Sequence, residues 1–146
     1  MRPAAARWWL PALLALVAQT AHGAHCSASA VGVAFGTYNV FNTADLNSTG
    51  SVTVNCNQSS TTFSIALSAG AGTFASRALK NGTAVLSYNL FTDAQRLTIW
   101  GDGTAGTVTV SGSGTSASFT VYGKIPARQN VSAGSYGDTI VVTVTY

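Results

Sequence analysis

The side chains able to do chemistry are few. Asp45, Asp93, Asp102 and Asp138 are the only acids, His22 and His25 the only histidines, and Cys26 and Cys56 the only cysteines. Nucleophilic catalysis needs a serine or cysteine beside a histidine base, and His25 stands at the start of the mature chain defined below. Paired carboxylates for glycoside chemistry need two acids at a fixed separation. The four aspartates are instead dispersed through turn-like or strand-end sequence, where they read as turn and cap acceptors. A zinc site needs three or four ligands, and partners for one are lacking, since His25 is the only histidine after the leader. "WGDGTAG" sets Gly101, Gly103 and Gly106 at the spacing of a dinucleotide fingerprint, but "TVTV" follows it. The fingerprint requires a helix there, whose N-terminus holds the pyrophosphate, so the stretch reads as a glycine-rich turn. No cofactor and no enzymatic activity are expected.

The N-terminal residues have a separate role. Arg2 and Arg7 form a basic region, Trp8 to Ala18 is an apolar run interrupted only by Pro11, and Ala21-His22-Gly23 supplies small residues for cleavage. This is the pattern of a secretory signal peptide, residues 1–23, and its apolar run falls short of the ~20 residues that span a bilayer. Residues 24–146 are then one domain with no membrane segment. Without the leader, five basic residues face four aspartates, and Arg77, Lys80, Arg96, Lys124 and Arg128 are scattered. A nucleic-acid binder would gather them on one face, so no nucleic acid is expected. In a chain sent to an oxidising compartment, Cys26 and Cys56 are expected to form one disulfide. Closing that loop would contribute about 3 to 4 kcal/mol in the chain-entropy model.

The elements holding these residues read as strands. "SVTVNC" puts Val52, Val54 and Cys56 on one face, "TFSIALS" does so with Phe63, Ile65 and Leu67, and "AVLSYNLF" sets Leu86, Tyr88 and Leu90 opposite Val85, Ser87 and Phe91. Further strands are predicted at "VGVAFGTY", "RLTIW", "GTVTV", "SFTVYG" and "DTIVVTVTY", with turns at "NSTG", "SAGAG" and "NGT" and a hairpin loop at "VSGSGTSAS". The fold class is all-β, an antiparallel sandwich of immunoglobulin type. The cysteine pair does not match the B–F bridge of an antibody domain; it ties the first strand to the second or third. Trp100 and Tyr136 could stack a ligand, but core or strand-end packing suits both better. Asn47, Asn57, Asn81 and Asn130 head N-x-Ser/Thr triplets that a chain this rich in Ser and Thr produces by chance.

In order along nearly the whole mature chain come Cys26, "FGTY" at 35–38, "GSVTVNC" at 50–56, Arg77 before Leu79, "LSYNLFTD" at 86–93, "WGDG" at 100–103, "VYGKIPARQ" at 121–129 and the closing "GSYGDTIVVTVTY". Together these resemble the spore coat protein U domain family, which includes the archaic, Csu-type chaperone–usher pilus subunits. The resemblance implies an incomplete immunoglobulin-like sandwich lacking its final strand, escort by a periplasmic chaperone, export through an outer-membrane usher, and a place in a surface fibre or coat. The chain would be secreted, passing through the periplasm to the cell surface.

With "DTIVVTVTY" as strand F, the usual strand G is missing, and the resemblance implies that a donor strand from a chaperone or another subunit replaces it. Ile140, Val142, Val144 and Tyr146 share one face of the terminal strand and are expected to line the core or the open groove. Thr139, Thr143 and Thr145 face outward, with Val141 the exception. The groove is expected between this strand and the first, beyond the Cys26–Cys56 bridge. About five uncovered core side chains at roughly 1.5 to 3 kcal/mol each forfeit a sum that rivals the stability of a whole domain, so the isolated chain is expected to be marginal. Polymerising family members carry an alternating extension ahead of the first cysteine, whereas only Ala24 and His25 precede Cys26 after cleavage. The expected role is therefore a terminal or coat-like unit that accepts a strand, with an adhesin or lectin-like tip module as the alternative.

Overall fold

The computed structural model describes residues 23–146, so the expected leader, Gly23 apart, lies outside the described residues. Eight strands form: β1 (Cys26–Val31), β2 (Leu46–Cys56), β3 (Thr62–Leu67), β4 (Arg77–Asn81), β5 (Ala84–Phe91), β6 (Val110–Ser113), β7 (Ser116–Ile125) and β8 (Val142–Thr145). They assemble into a five-stranded sheet, β1-β2-β7-β5-β4, and a three-stranded sheet, β6-β3-β8. Every ladder between named strands is antiparallel. No helix forms among the described residues. The fold class expected from the sequence is the one found.

The alternating residues meet between the sheets. Val52 and Val54 of β2, Phe63, Ile65 and Leu67 of β3, and Leu86, Tyr88 and Leu90 of β5 are all buried there. Trp100 is fully buried at their centre, so packing, not ligand stacking, is its role. Its indole donates to the Ile65 carbonyl at 3.0 Å and its backbone N–H to the Leu90 carbonyl at 3.0 Å. One residue thereby stitches the two sheets together.

Beside it lies a buried cation. The Arg77 guanidinium donates to the Trp100 carbonyl at 2.7 Å, to Asn89 Oδ1 at 2.6 Å, and twice to the Ser68 carbonyl at 2.9 and 3.1 Å. Burial lowers its pKa, against the pull of Tyr88 and Asp138, but a guanidinium keeps its proton in a protein. Its planar fork satisfies carbonyls that the strand ladders leave over.

Four stretches fold otherwise than their patterns predict. "VGVAFGTY" is not a strand: β1 ends at Val31 and residues 32–39 form a strap. The strap crosses the inner face of the large sheet, where Gly50 and Gly123 make room for it. A Cβ on Gly50 would sit 2.5 Å from the Val31 carbonyl oxygen, and one on Gly123 would sit 2.7 Å from both Phe35 and Val33. "RLTIW" and "GTVTV" give only bridges at Ile99, Trp100 and Val108, with Val110 opening β6. "VSGSGTSAS" is no hairpin loop, because β6 and β7 belong to different sheets. Its turn is held by Thr61 and Cys56, which bond Gly114 and Thr115. β4, absent from the expectations, pairs with β5 around the "NGT" turn, with Gly82 at φ +58°.

The corner between β7 and β8 carries an immunoglobulin mark. The Tyr136 hydroxyl donates back to the Ser132 carbonyl at 2.8 Å, the arrangement of the tyrosine corner that precedes strand F. β8 therefore stands in the place of strand F. Among the described residues no strand covers its free side.

Candidate functional site: an open seam between β1 and β8

Residues directly opposite each other in an antiparallel ladder project to the same face. Ala28 lies opposite Val54 and Ala30 opposite Val52. Both valines are in the core, so Ala28 and Ala30 face the core as well, yet both are exposed. The inward side of β1 is therefore uncovered.

β8 has the matching defect. Val144 pairs with Ile65 and Val142 with Leu67, two fully interior residues, but Val142 and Val144 are themselves only half-buried. Ile140 is also half-buried, while Thr139, Val141, Thr143 and Thr145 are exposed. The segment alternates from Thr139 to Thr145, although the strand itself, Val142–Thr145, is shorter than predicted. Among the described residues β1 pairs only with β2 and β8 only with β3, so two backbone edges flank one seam.

The seam's ends fix its direction. At one end His25, just ahead of β1, meets Tyr146, just after β8, with Tyr146 Oη 3.4 Å from His25 Nδ1 and the rings edge to face. Tyr146 is about half exposed there. At the other end Ala30 and Val31 face Ile140 and Val142 across a cleft of ≈ 210 Å³. β1 and β8 thus run in opposite directions, so any strand laid between them is parallel to one and antiparallel to the other. Leu67, Leu90, Val121 and Tyr88 line the cleft, and Asp138 adds a carboxylate to its wall.

The Cys26–Cys56 disulfide joins a register pair of β1 and β2 at the His25 end. It holds the first residue of the open edge against the sheet. Asn57 reinforces the same point: its N–H donates to the His25 carbonyl at 3.0 Å, and its Oδ1 accepts from the His25 N–H at 2.8 Å.

The remaining chemistry-bearing residues do structural work. Asp93 accepts from the Thr98 N–H at 2.8 Å and from Leu97, and these bonds hold its carboxyl below the usual range. Asp102 is lowered by the Thr104 hydroxyl at 2.6 Å and the Thr104 N–H at 2.9 Å. Asp45 accepts from the Ala127 N–H. Gly103 and Gly106 of "WGDGTAG" adopt φ of +89° and +77°, as a turn requires. Among the described residues no three His, Cys, Asp or Glu side chains gather as a metal site, and no helix is long and apolar enough to cross a membrane.

Only half of the seam is legible in the sequence. Alternation marks Ile140, Val142, Val144 and Tyr146, but not Ala28 and Ala30. "CSASAV" does alternate, but with side chains too small to read as a core face.

Residues 12–143 match the family model of the Spore Coat Protein U domain. The chain belongs to that family. It is the family to which the ordered motifs pointed. A curated relative, "Protein U" of Myxococcus xanthus, is 39% identical over 125 residues, covering 77% of this chain and 70% of the relative. Among solved structures, the chain is similar to one from the CsuC–CsuE chaperone–tip adhesion subunit pre-assembly complex of the archaic chaperone–usher Csu pili of Acinetobacter baumannii. That likeness has a TM-score of 0.59 at 25% identity and covers 84% of this chain but only 40% of the other. This spore coat U chain therefore spans well under half the length of that structure's chain.

Proposed function

We propose that the protein is a non-enzymatic structural subunit of a surface fibre or spore-coat-like layer assembled by the chaperone–usher route. Its sandwich is completed by a donor strand lent first by a periplasmic chaperone and then, past an outer-membrane usher, by another subunit. The observation that carries this reading is the seam, where Ala28 and Ala30 face the core uncovered while, among the described residues, the facing edges of β1 and β8 have no partner. β-strand addition uses both features: the edge supplies main-chain hydrogen bonds and the floor receives alternate side chains. β1's six residues span about 20 Å, which suits a donor placing about three side chains inward. Membership of the family and the likeness to a chaperone–subunit complex support the same reading.

Co-production with a periplasmic chaperone tests it. Truncating Thr143 to Tyr146, or placing Asp at both Val142 and Val144, should abolish recovery of the complex, since each removes the edge or its apolar floor. A soluble, cooperatively unfolding monomer from the mature chain alone would overturn the reading.

An adhesive tip role is the second reading, favoured by large apolar side chains displayed on loops. Phe41 is 88% and Leu97 81% exposed. Complemented protein should then bind plastic or glycans, and Phe41→Ser with Leu97→Ser should remove that binding without affecting chaperone capture.

A further inference from the structure

The segment leading into β8 changes sheets within a few residues. Gly137 exchanges both backbone hydrogen bonds with Lys80 of β4, at 2.8 and 3.0 Å, on the edge of the large sheet. Four residues later, the Val141 carbonyl accepts from the Ser68 N–H at 3.0 Å and the Val141 N–H donates to Ser68 Oγ at 2.9 Å, beside the small sheet. Asp138 sits at the crossing. Its Oδ1 accepts from the Ala71 N–H at 3.0 Å and from its neighbour Thr139 at 2.8 Å, while its Oδ2 accepts from the Tyr88 hydroxyl at 2.7 Å. One carboxylate thus ties the 69–72 turn, the floor of β5 and the start of the terminal segment together.

The surroundings are shaped to that carboxylate. Gly70 has φ +63°, and a Cβ there would overlap the Asp138 carboxylate. Tyr88 is buried in the core, packed edge to face against Phe35 of the strap. Burial and then the bond to Asp138 push its phenol above the usual range, which keeps it the donor. Tyr88 and Asp138 both line the cleft at the Ala30–Ile140 end of the seam.

We infer that Asp138 is a positioning residue for strand acceptance: through Tyr88 and the Ala71 N–H it fixes where Ile140 and Val142 stand, and so holds the cleft end of the seam open at the width an incoming strand needs. The inference rests on the donor-strand reading for its purpose. The latch itself is a separate claim about the protein's own backbone, and the two fail differently.

Hydrogen exchange on the disulfide-bonded chain, isolated with any chaperone it carries, tests the latch. Asp138→Ala should speed exchange at Ala71, Thr139 and β8 by about tenfold, as loss of a hydrogen bond or two implies, while the β2–β7 ladder exchanges as before. Asp138→Asn keeps an acceptor for the Ala71 N–H and should restore most of the protection. Tyr88→Phe, which changes one oxygen, should give a smaller effect in the same place. A short fluorescent peptide of alternating Val and Thr, added to the same preparations, reads acceptance: association should slow about tenfold in Asp138→Ala and recover in Asp138→Asn. A wild-type chain that never takes up the peptide would count against the donor-strand reading and leave the exchange result to decide the latch. Unchanged exchange at β8 in both Asp138→Ala and Tyr88→Phe, or equal loosening of β2–β7 in both, would overturn the latch.

Discussion

Ala30 stands directly opposite Val52 in the β1–β2 ladder, so the two side chains share a face; Val52 is 2% exposed, whereas Ala30 lies open to solvent. Burial on one face should not change so sharply between neighbours unless the layer above stops between them. Here it does stop, because β8 turns back along β3 and leaves the seam. On the proposed donor-strand reading, Ala30→Asp should put a carboxylate where a donor would place an apolar side chain. An unpaired buried charge costs several kcal/mol, so chaperone capture should fall by well over tenfold. Ser29 pairs with Thr53 and points outward, and Ser29→Asp should leave capture intact. Pull-down yield from the periplasm, compared for the two variants, checks the pair.

The disulfide should matter most for that same edge. β1 exposes every residue but Cys26, so little else than its ladder and the bridge holds it to β2. Cys56→Ser should lower stability by about 3 kcal/mol, in line with a loop of 30 residues, and reduce the periplasmic yield. Quantitative blotting of exported protein measures the drop, and mass spectrometry of folded protein showing two free thiols would refute the bridge.

Alternation made most of the strands readable, because a strand with one face in the core must repeat every second residue. It failed where residues obey a different geometry. The strap at 32–39 alternates as well as any strand, but it crosses the sheet instead of joining a ladder; the Ala34 carbonyl accepts from Ser48 Oγ. Nothing in local sequence distinguishes the two, since the difference lies in Gly50 and Gly123 on other strands. β4 was lost for the opposite reason. Arg77 and Ala78 are both buried, which breaks the period, and Arg77 is satisfied only by Ser68, Asn89 and Trp100 gathered from three places in the chain. Asp138 reads alone as a strand-end acceptor; its bond to Tyr88, fifty residues away, exists only in the fold.

Arg77 gives a stability prediction with a clear sign. Arg77→Leu would fill the space but orphan the Trp100 and Ser68 carbonyls and leave Asn89 Oδ1 with the Leu90 N–H alone. At roughly 1 to 3 kcal/mol for each of the two unsatisfied buried carbonyls, the loss should be at least about 2 kcal/mol. Arg77→Lys should recover little, because a single ammonium cannot reproduce a fork that reaches acceptors on two sides. Denaturant midpoints of the complemented protein, or soluble yield where the variants are too weak to purify, order the three.

Tyr88 supplies a prediction in alkali. Its phenol is raised above the usual value of 10.0, first by burial and then by the bond to Asp138. A group whose folded pKa lies above its unfolded one holds its proton more tightly in the native state, so the stability it contributes is complete below pH 10 and declines as pH rises past that value. The wild-type melting temperature should therefore fall with pH above about 10. Tyr88→Phe removes the titrating group along with its bond to Asp138: it should start lower at neutral pH and show a flatter decline above pH 10. Thermal melts at matched ionic strength across that range compare the slopes. Parallel curves for the two proteins would mean that the phenol titrates as it does in the unfolded chain, and that its burial beside Asp138 carries no linkage.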